Sequence, residues 1–212
     1  MVICTCTREH QQRRVVLTGG PGAGKTAFLE LVRQSLCQHV TVLPESASLL
    51  FNGGFPRHEE TQCRRAVQRA IYHVQRELEV VAETHRPALV ICDRGSIDGL
   101  AYWPGPTEDF WAQLATTREA ELARYDAIIH LRTPSAEGGY NHRNPQRTES
   151  AAEAAEIDER ILAVWAGHPG LHVIEPSLFY LEKAAHALEV LRSLLPECCT
   201  GHLPETGPTL QL

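Results

Sequence analysis

The sequence predicts an α/β fold, a three-layer α/β/α arrangement with a parallel sheet of about five strands. Two observations predict it. Short continuous apolar runs alternate with longer segments whose apolar residues recur at helical spacing, the pattern of a parallel sheet covered on both faces. Between one such run and one such helix stands Gly19-Gly20-Pro21-Gly22-Ala23-Gly24-Lys25-Thr26. It fits the pattern Gly, four residues, Gly-Lys-Ser/Thr, a loop whose successive backbone N–H groups point at a phosphate.

Taken in order, residues 13–18 read as the first strand, and Ala27, Phe28, Leu31, Val32 and Leu36 mark a helix over about 25–38. Thr41-Val42-Leu43 is a short strand ending in Pro44-Glu45-Ser46, and residues 52–56 form a turn cluster. A long helix over about 58–85 carries the stripe Val67, Ile71, Val74, Leu78, Val81, which assigns one face to the core. His73 and His85 read as surface residues, since neither has a ligand partner four residues on. A buried strand at 88–92 ends in Asp93-Arg94-Gly95; a short helix follows at about 107–115, then a strand at 127–131. Ser150 and Glu153 form a capping box that opens a helix reaching about Trp165. A last strand at 171–174 precedes a helix carrying Leu181, Ala185, Leu188 and Leu191. The domain therefore spans 13–195, with a flexible tail at 1–12, a lid at about 132–150, and a disordered tail at 196–212.

Composition narrows the class. A chain of 212 residues suits one α/β domain, and 43% hydrophobic with 22% charged residues is ordinary for a globular protein. A net charge of −6 argues against a broad nucleic-acid surface, and no apolar run has the length of a membrane helix or a signal peptide. The expected location is cytoplasmic, with neither nucleic acid nor membrane as partner. Only Lys25 and Lys183 are lysines. Seven cysteines without C-x-x-C spacing fit reduced thiols better than a disulfide framework. Cys4 with Cys6, or Cys198 with Cys199, can bind metal, but incidental terminal thiols is the favoured reading.

The chemistry collects at the carboxyl ends of the strands, where ligands of such sheets sit. Glycines at 19, 20, 22 and 24, with Pro21 and Ala23, form the phosphate cradle; Lys25 reaches the phosphates, and the Thr26 hydroxyl can ligate Mg²⁺. Asp93 would hold Mg²⁺ directly or through water, or else cap the next helix, and Arg94 could neutralise phosphate charge. Glu45 could accept a proton from a substrate hydroxyl, merely hydrogen-bond a substrate, or stand in solvent. The long segment 132–150 contains Arg132, Arg143 and Arg147, which suits a lid that closes over a nucleotide and stabilises a transferring phosphoryl group. No Asn-Lys-x-Asp guanine-reading motif occurs, and Arg94 stands where a motor ATPase has a water-activating Glu. Both features favour transfer to an acceptor over regulated hydrolysis.

The phosphate loop, Leu43-Pro44-Glu45, the Asp93-to-Trp103 stretch and Tyr125-Asp126 before a strand together resemble the NadR-type nucleotide-binding domain family, small P-loop ATPases and kinases. The Asp-Arg and Ala-Tyr pairs are also similar to thymidylate and deoxynucleoside kinases. The resemblance covers about residues 13–190. It implies Mg²⁺ and ATP (or GTP) as cofactor and nucleotide, and Thr26 and Asp93 as metal residues. It also implies that Asp93 coordinates that Mg²⁺ or orients the acceptor, that Glu45 and Tyr102 face a small-molecule acceptor, and that Arg143 and Arg147 serve the lid; Asp98 is a further candidate on the acceptor side. Gly95, Asp98 and the 138–145 segment depart from these relatives, so the acceptor does not transfer. The expected function is an ATP-dependent kinase of a nucleoside-like hydroxyl compound. The other reading is a regulatory ATP- or GTP-binding module with slow hydrolysis, acting through a protein partner. A nucleic-acid-stimulated ATPase is disfavoured by charge and by the lack of a basic-aromatic patch.

Overall fold

The computed structural model describes residues 3–134, 150–177 and 179–203. Five strands, β1 Arg13–Thr18, β2 Val40–Leu43, β3 Leu89–Asp93, β4 Ala127–Leu131 and β5 Leu171–Ile174, form one sheet in the order β2-β3-β1-β4-β5. All four pairings are parallel, as β-helix-β crossovers require.

Alternation along β1 sends its side chains to two cores. Val15 and Leu17 face one core together with Phe28 and Leu29 of α1 (Lys25–Arg33) and Ala187 and Leu191 of α7 (Tyr180–Leu194). Val16 faces the other, with Tyr72 of α3 (Thr61–Thr84), Phe110 of α4 (Thr107–Leu114) and Ile161 and Trp165 of α6 (Ala151–Trp165). The expected capping box opens α6: Ser150 accepts from the Glu153 N–H while Glu153 accepts from the Ser150 N–H.

Several expectations need correction. The predicted stripe of α3 is rotated. Val67 is buried, Ile71, Val74 and Leu78 are half-buried, and Val81 is 56% exposed. The deepest line runs Val67, Tyr72, Gln75, Glu79, Ala82. Burying Glu79 is tolerable because its carboxylate is saturated. It accepts from Gln75 at 3.0 Å and the Tyr125 hydroxyl at 2.8 Å, and pairs with Arg14 and Arg124. On α7 the buried face is Ala184, Ala187, Leu188 and Leu191 with Lys183, whereas Leu181 is exposed.

The first helix stops at Arg33. Three short helices, α2 (Ser46–Asn52), α5 (Arg118–Leu122) and α8 (Glu197–Thr200), and a 3₁₀ turn at Asp98–Tyr102 carry no stripe long enough to read. Within 1–12, read as a flexible tail, Cys4 is buried, its N–H and C=O both paired to the Gln38 amide. Within 196–212, read as disordered, α8 is helical and Cys199 and Leu203 are buried. Among the described residues no helix is long and apolar enough to cross a membrane.

Candidate functional site

The loop after β1 crosses beneath the end of β4. Gly19 has φ +135°, and a Cβ there would stand 2.0 Å from the Leu131 carbonyl oxygen. Glycine is therefore required at this crossing by both conformation and space. Gly20 presents its N–H to Asp158 Oδ1 at 2.7 Å, and Thr133 Oγ1 donates to the Pro21 carbonyl at 3.1 Å. Lys25, buried at the start of α1, donates from Nζ to the Gly19 and Gly20 carbonyls at 2.8 and 3.0 Å. Thr26 is exposed beside it on the first turn of α1.

Register brings the strand-end groups together. Leu17, two residues before the loop, pairs with Asp93, and Leu43, two residues before Glu45, pairs with Cys92. Arg94 takes a left-handed backbone, φ +71°, with its N–H on the Leu17 carbonyl at 3.0 Å. A non-glycine residue held there stores about 1–3 kcal/mol, a strain common at binding sites. Its guanidinium is thereby turned toward the loop. It donates to Glu45 Oε1 at 2.6 Å and to the Gly19 carbonyl at 3.4 Å, and pairs with Asp98 Oδ2 at 3.4 Å.

Burial and these neighbours set the charges. Burial, helped by the Arg94 charge, brings the Lys25 ammonium down to about 7. Burial, then the Glu45 charge, pushes the Asp93 carboxyl up to about 6. Burial also works to raise Glu45, but Arg94 and the Ser48 hydroxyl outweigh it and hold that carboxyl below its ordinary value. Of the two carboxylates, Asp93 is thus the stronger proton acceptor at neutral pH.

A cleft of about 580 Å³ opens beside Arg94, lined by Glu45, Phe51, Arg57, Gln68, Gln75 and Tyr102 among others. The Arg57 guanidinium lies 3.8 Å from the Phe51 ring centroid. Asp98 also lines this cleft, but its oxygens are engaged within the protein. Oδ2 accepts from Thr18 Oγ1 at 2.5 Å, and Oδ1 accepts from the Trp165 indole at 2.6 Å. It positions Arg94 and the end of β1 rather than reaching outward. Arg132 is held by Asp158 and Glu159. Arg143 and Arg147 lie outside the described residues, as does the lid segment 135–149.

Two residues to which sequence reasoning gave no role support the loop. Asp158 of α6 joins the Gly20 N–H, His130 Nε2 at 3.0 Å and Arg132. Lys183 of α7 donates to the Ala23 carbonyl at 2.7 Å and the Arg132 carbonyl at 2.5 Å, and burial lowers its ammonium to about 8. Removing the Asp158 carboxylate leaves a buried N–H and a buried imidazole unpaired. Asp158→Ala is accordingly expected to lose about 3 kcal/mol of stability, readable as a lower urea midpoint with an unchanged slope.

A glycine loop between a buried strand and a helix, with a buried lysine and a strand-end Asp-Arg pair, defines a P-loop fold. Residues 14–178 match a family described as an AAA domain, and the chain belongs to that family. Two solved structures are similar. One is NadR in complex with NAD and AMP-PNP, at 18% identity and TM-score 0.58, the match covering 90% of this chain and 50% of that one. The present chain thus spans half the length of that protein. The other is thymidylate kinase from Candida albicans, at 12% identity and TM-score 0.59, covering 86% of this chain and 92% of that one. At these identities the likeness shows the fold alone. No curated protein matches the chain in sequence.

Proposed function

We propose that the protein is a Mg²⁺-dependent kinase that transfers the γ-phosphoryl group of ATP (or GTP) to a hydroxyl on a nucleoside-like small molecule. One observation carries this reading. Two cations, Lys25, which is buried, and Arg94, which is half-buried, both donate to the Gly19 carbonyl at the glycine loop, and their mutual repulsion helps lower the lysine. A bound polyanion would relieve that repulsion, so the pair fits a triphosphate. The residues also fit a metal, with an exposed hydroxyl at Thr26 and a carboxylate at Asp93, raised by burial and by the Glu45 charge, that a bound cation would bring back down. Mg²⁺ at these two residues would neutralise and orient the phosphates.

The protein groups divide the remaining work. Lys25 holds the phosphates at the mouth of the loop, and Arg94, locked by Glu45 and Asp98, presents a fixed guanidinium to the transferring group. Glu45, spent on Arg94 and Ser48, orients rather than abstracts. Asp93, holding the metal through a water, keeps an oxygen free to accept the proton of the attacking hydroxyl. The acceptor lies in the 580 Å³ cleft, where the Tyr102 ring and the Gln68 amide suit a flat heterocycle bearing a hydrogen-bonding edge. Arg143 and Arg147 act from the lid. The nucleotide and one small acceptor are the only partners this requires, and a cytoplasmic location suits both.

The test is phosphate transfer from Mg·ATP and Mg·GTP to a mixed pool of nucleosides and vitamins, with the product found by mass spectrometry and Lys25→Ala as blank. A phosphorylated compound absent from the blank is the expected result. Tight nucleotide binding with slow hydrolysis and no product would replace this reading with the regulatory nucleotide-binding module.

A further inference from the structure

Away from the nucleotide site, the chain gathers most of its sulfur. Cys4, Cys6, Cys37, Cys198 and Cys199, with His10, His39 and His202, converge from segments up to 194 residues apart. Cys63 and Cys92 lie outside this group. The segments are the residues before β1, the turn before β2, and α8 with the residues that follow it. They meet at the amino ends of the strands, the edge opposite the phosphate loop, beside a cleft of about 820 Å³ lined by Cys4, Cys6, His10 and Cys198 among others.

Within the cluster, Cys4, His39, Cys198 and Cys199 bring their ligand atoms within 4.8 Å of one another. Cys199 Sγ stands 3.6 Å from Cys198 Sγ and 3.4 Å from His39 Nδ1, and Cys198 Sγ is 3.9 Å from the same nitrogen. Tetrahedral zinc, with its usual bond lengths, sets about 3.8 Å between two sulfur ligands and about 3.6 Å between sulfur and nitrogen. The spacings already match those edges. Cys37 Sγ, 3.3 Å from Cys199 Sγ, and His10 Nε2, 3.4 Å from Cys198 Sγ, crowd the same two thiols. Beside these residues, His202 Nδ1, in a further triad with Cys37 and Cys199, is buried and has no hydrogen-bond partner among the described residues.

We propose that Cys4, His39, Cys198 and Cys199 bind one structural zinc ion. Three thiols and one imidazole are a closed, four-ligand set with no open position, which is the composition of a structural rather than a catalytic zinc site. Each ligating thiol gives up its proton to solvent as its sulfur bonds the metal. The ion ties the residues preceding β1 and the end of the last helices to the turn before β2, three segments joined otherwise by few polar contacts such as Cys4 with Gln38. Metal binding of this kind is folding free energy for the segments it joins.

The full chain, made without a histidine tag in zinc-supplemented medium and desalted, is assayed by plasma mass spectrometry. About one zinc per chain is expected. In Cys198→Ser/Cys199→Ser the content is expected to fall at least about tenfold, while Cys63→Ser keeps it. Because the double variant can fail to fold for other reasons, wild-type chain stripped by chelator is also titrated with Co²⁺. A thiolate-to-cobalt charge-transfer band that Zn²⁺ abolishes supports the site. Absence of that band in chain that still binds Mg·ATP overturns the proposal, as does a zinc content no higher than that of the double variant. A Cys37–Cys199 disulfide in freshly prepared, metal-free protein also overturns it. Nucleotide binding is read at the opposite edge of the sheet, so loss of the metal site and loss of the kinase reading are separable outcomes.

Discussion

Replacing Lys25 with alanine is expected to reduce phosphoryl transfer on the order of 10³-fold while leaving the fold intact. The side chain supplies a cation at the mouth of the glycine loop, and no other lysine lies there except Lys183, whose ammonium is committed to the Ala23 and Arg132 carbonyls. The stability of the variant should move in the opposite direction from its activity. The folded-state value of Lys25 is near 7, far below the ordinary lysine value, so protonation works against the fold. That penalty is fully present below about pH 7 and is relieved as pH rises toward the unfolded value. Lys25→Ala should therefore melt at or above the wild-type temperature, with the larger gain at about pH 6 and a smaller one at about pH 9. A variant that keeps wild-type nucleotide affinity by calorimetry would sink the assignment of the loop.

Asp93→Asn is the second large effect. If this carboxylate holds the metal and accepts the proton, as proposed, its loss should cost about 10²–10⁴-fold in kcat/KM. The pH profile separates this from simple damage. Asp93 is raised to about 6 and acts ionised, so wild-type kcat/KM should fall as pH drops through that value. The residual activity of Asp93→Asn should lack this acid limb. A variant that retains the limb would show that another group titrates there.

The parts of this site that were legible in the sequence are contiguous ones. The glycine loop, Lys25 and Thr26 lie within eight residues, and Asp93-Arg94 announces itself by ending an apolar run. Parallel strands were legible for the same reason, since a strand buried on both faces is a run of apolar residues wherever it occurs. The supporting groups were not legible because their meaning lies in pairing across the fold. Asp158 sits between Ile157 and Glu159 on an amphipathic helix and reads as solvated until Gly20, 138 residues away, places its N–H on it. Glu79 and Gln75 lie on the packed face of α3 although periodicity assigns that face to apolar residues alone. The role of Asp98 likewise depends on Trp165, and five cysteines at spacings that spell no motif meet only because the two ends of the described chain return to one edge of the sheet.

The two lysines have a consequence for covalent chemistry. Both are buried, both ammonium groups are depressed toward neutrality, to about 7 and about 8, and both touch the carbonyls of the glycine loop. An amine with a lowered value holds a larger neutral, nucleophilic fraction at neutral pH than an ordinary surface lysine, and here it meets a reagent only when the loop releases it from those carbonyls. The arginine-rich exterior offers acylating reagents no competing side-chain amine. Amine-directed crosslinkers and lysine-targeting nucleotide analogues thus meet a protein whose entire complement of side-chain amines borders one loop.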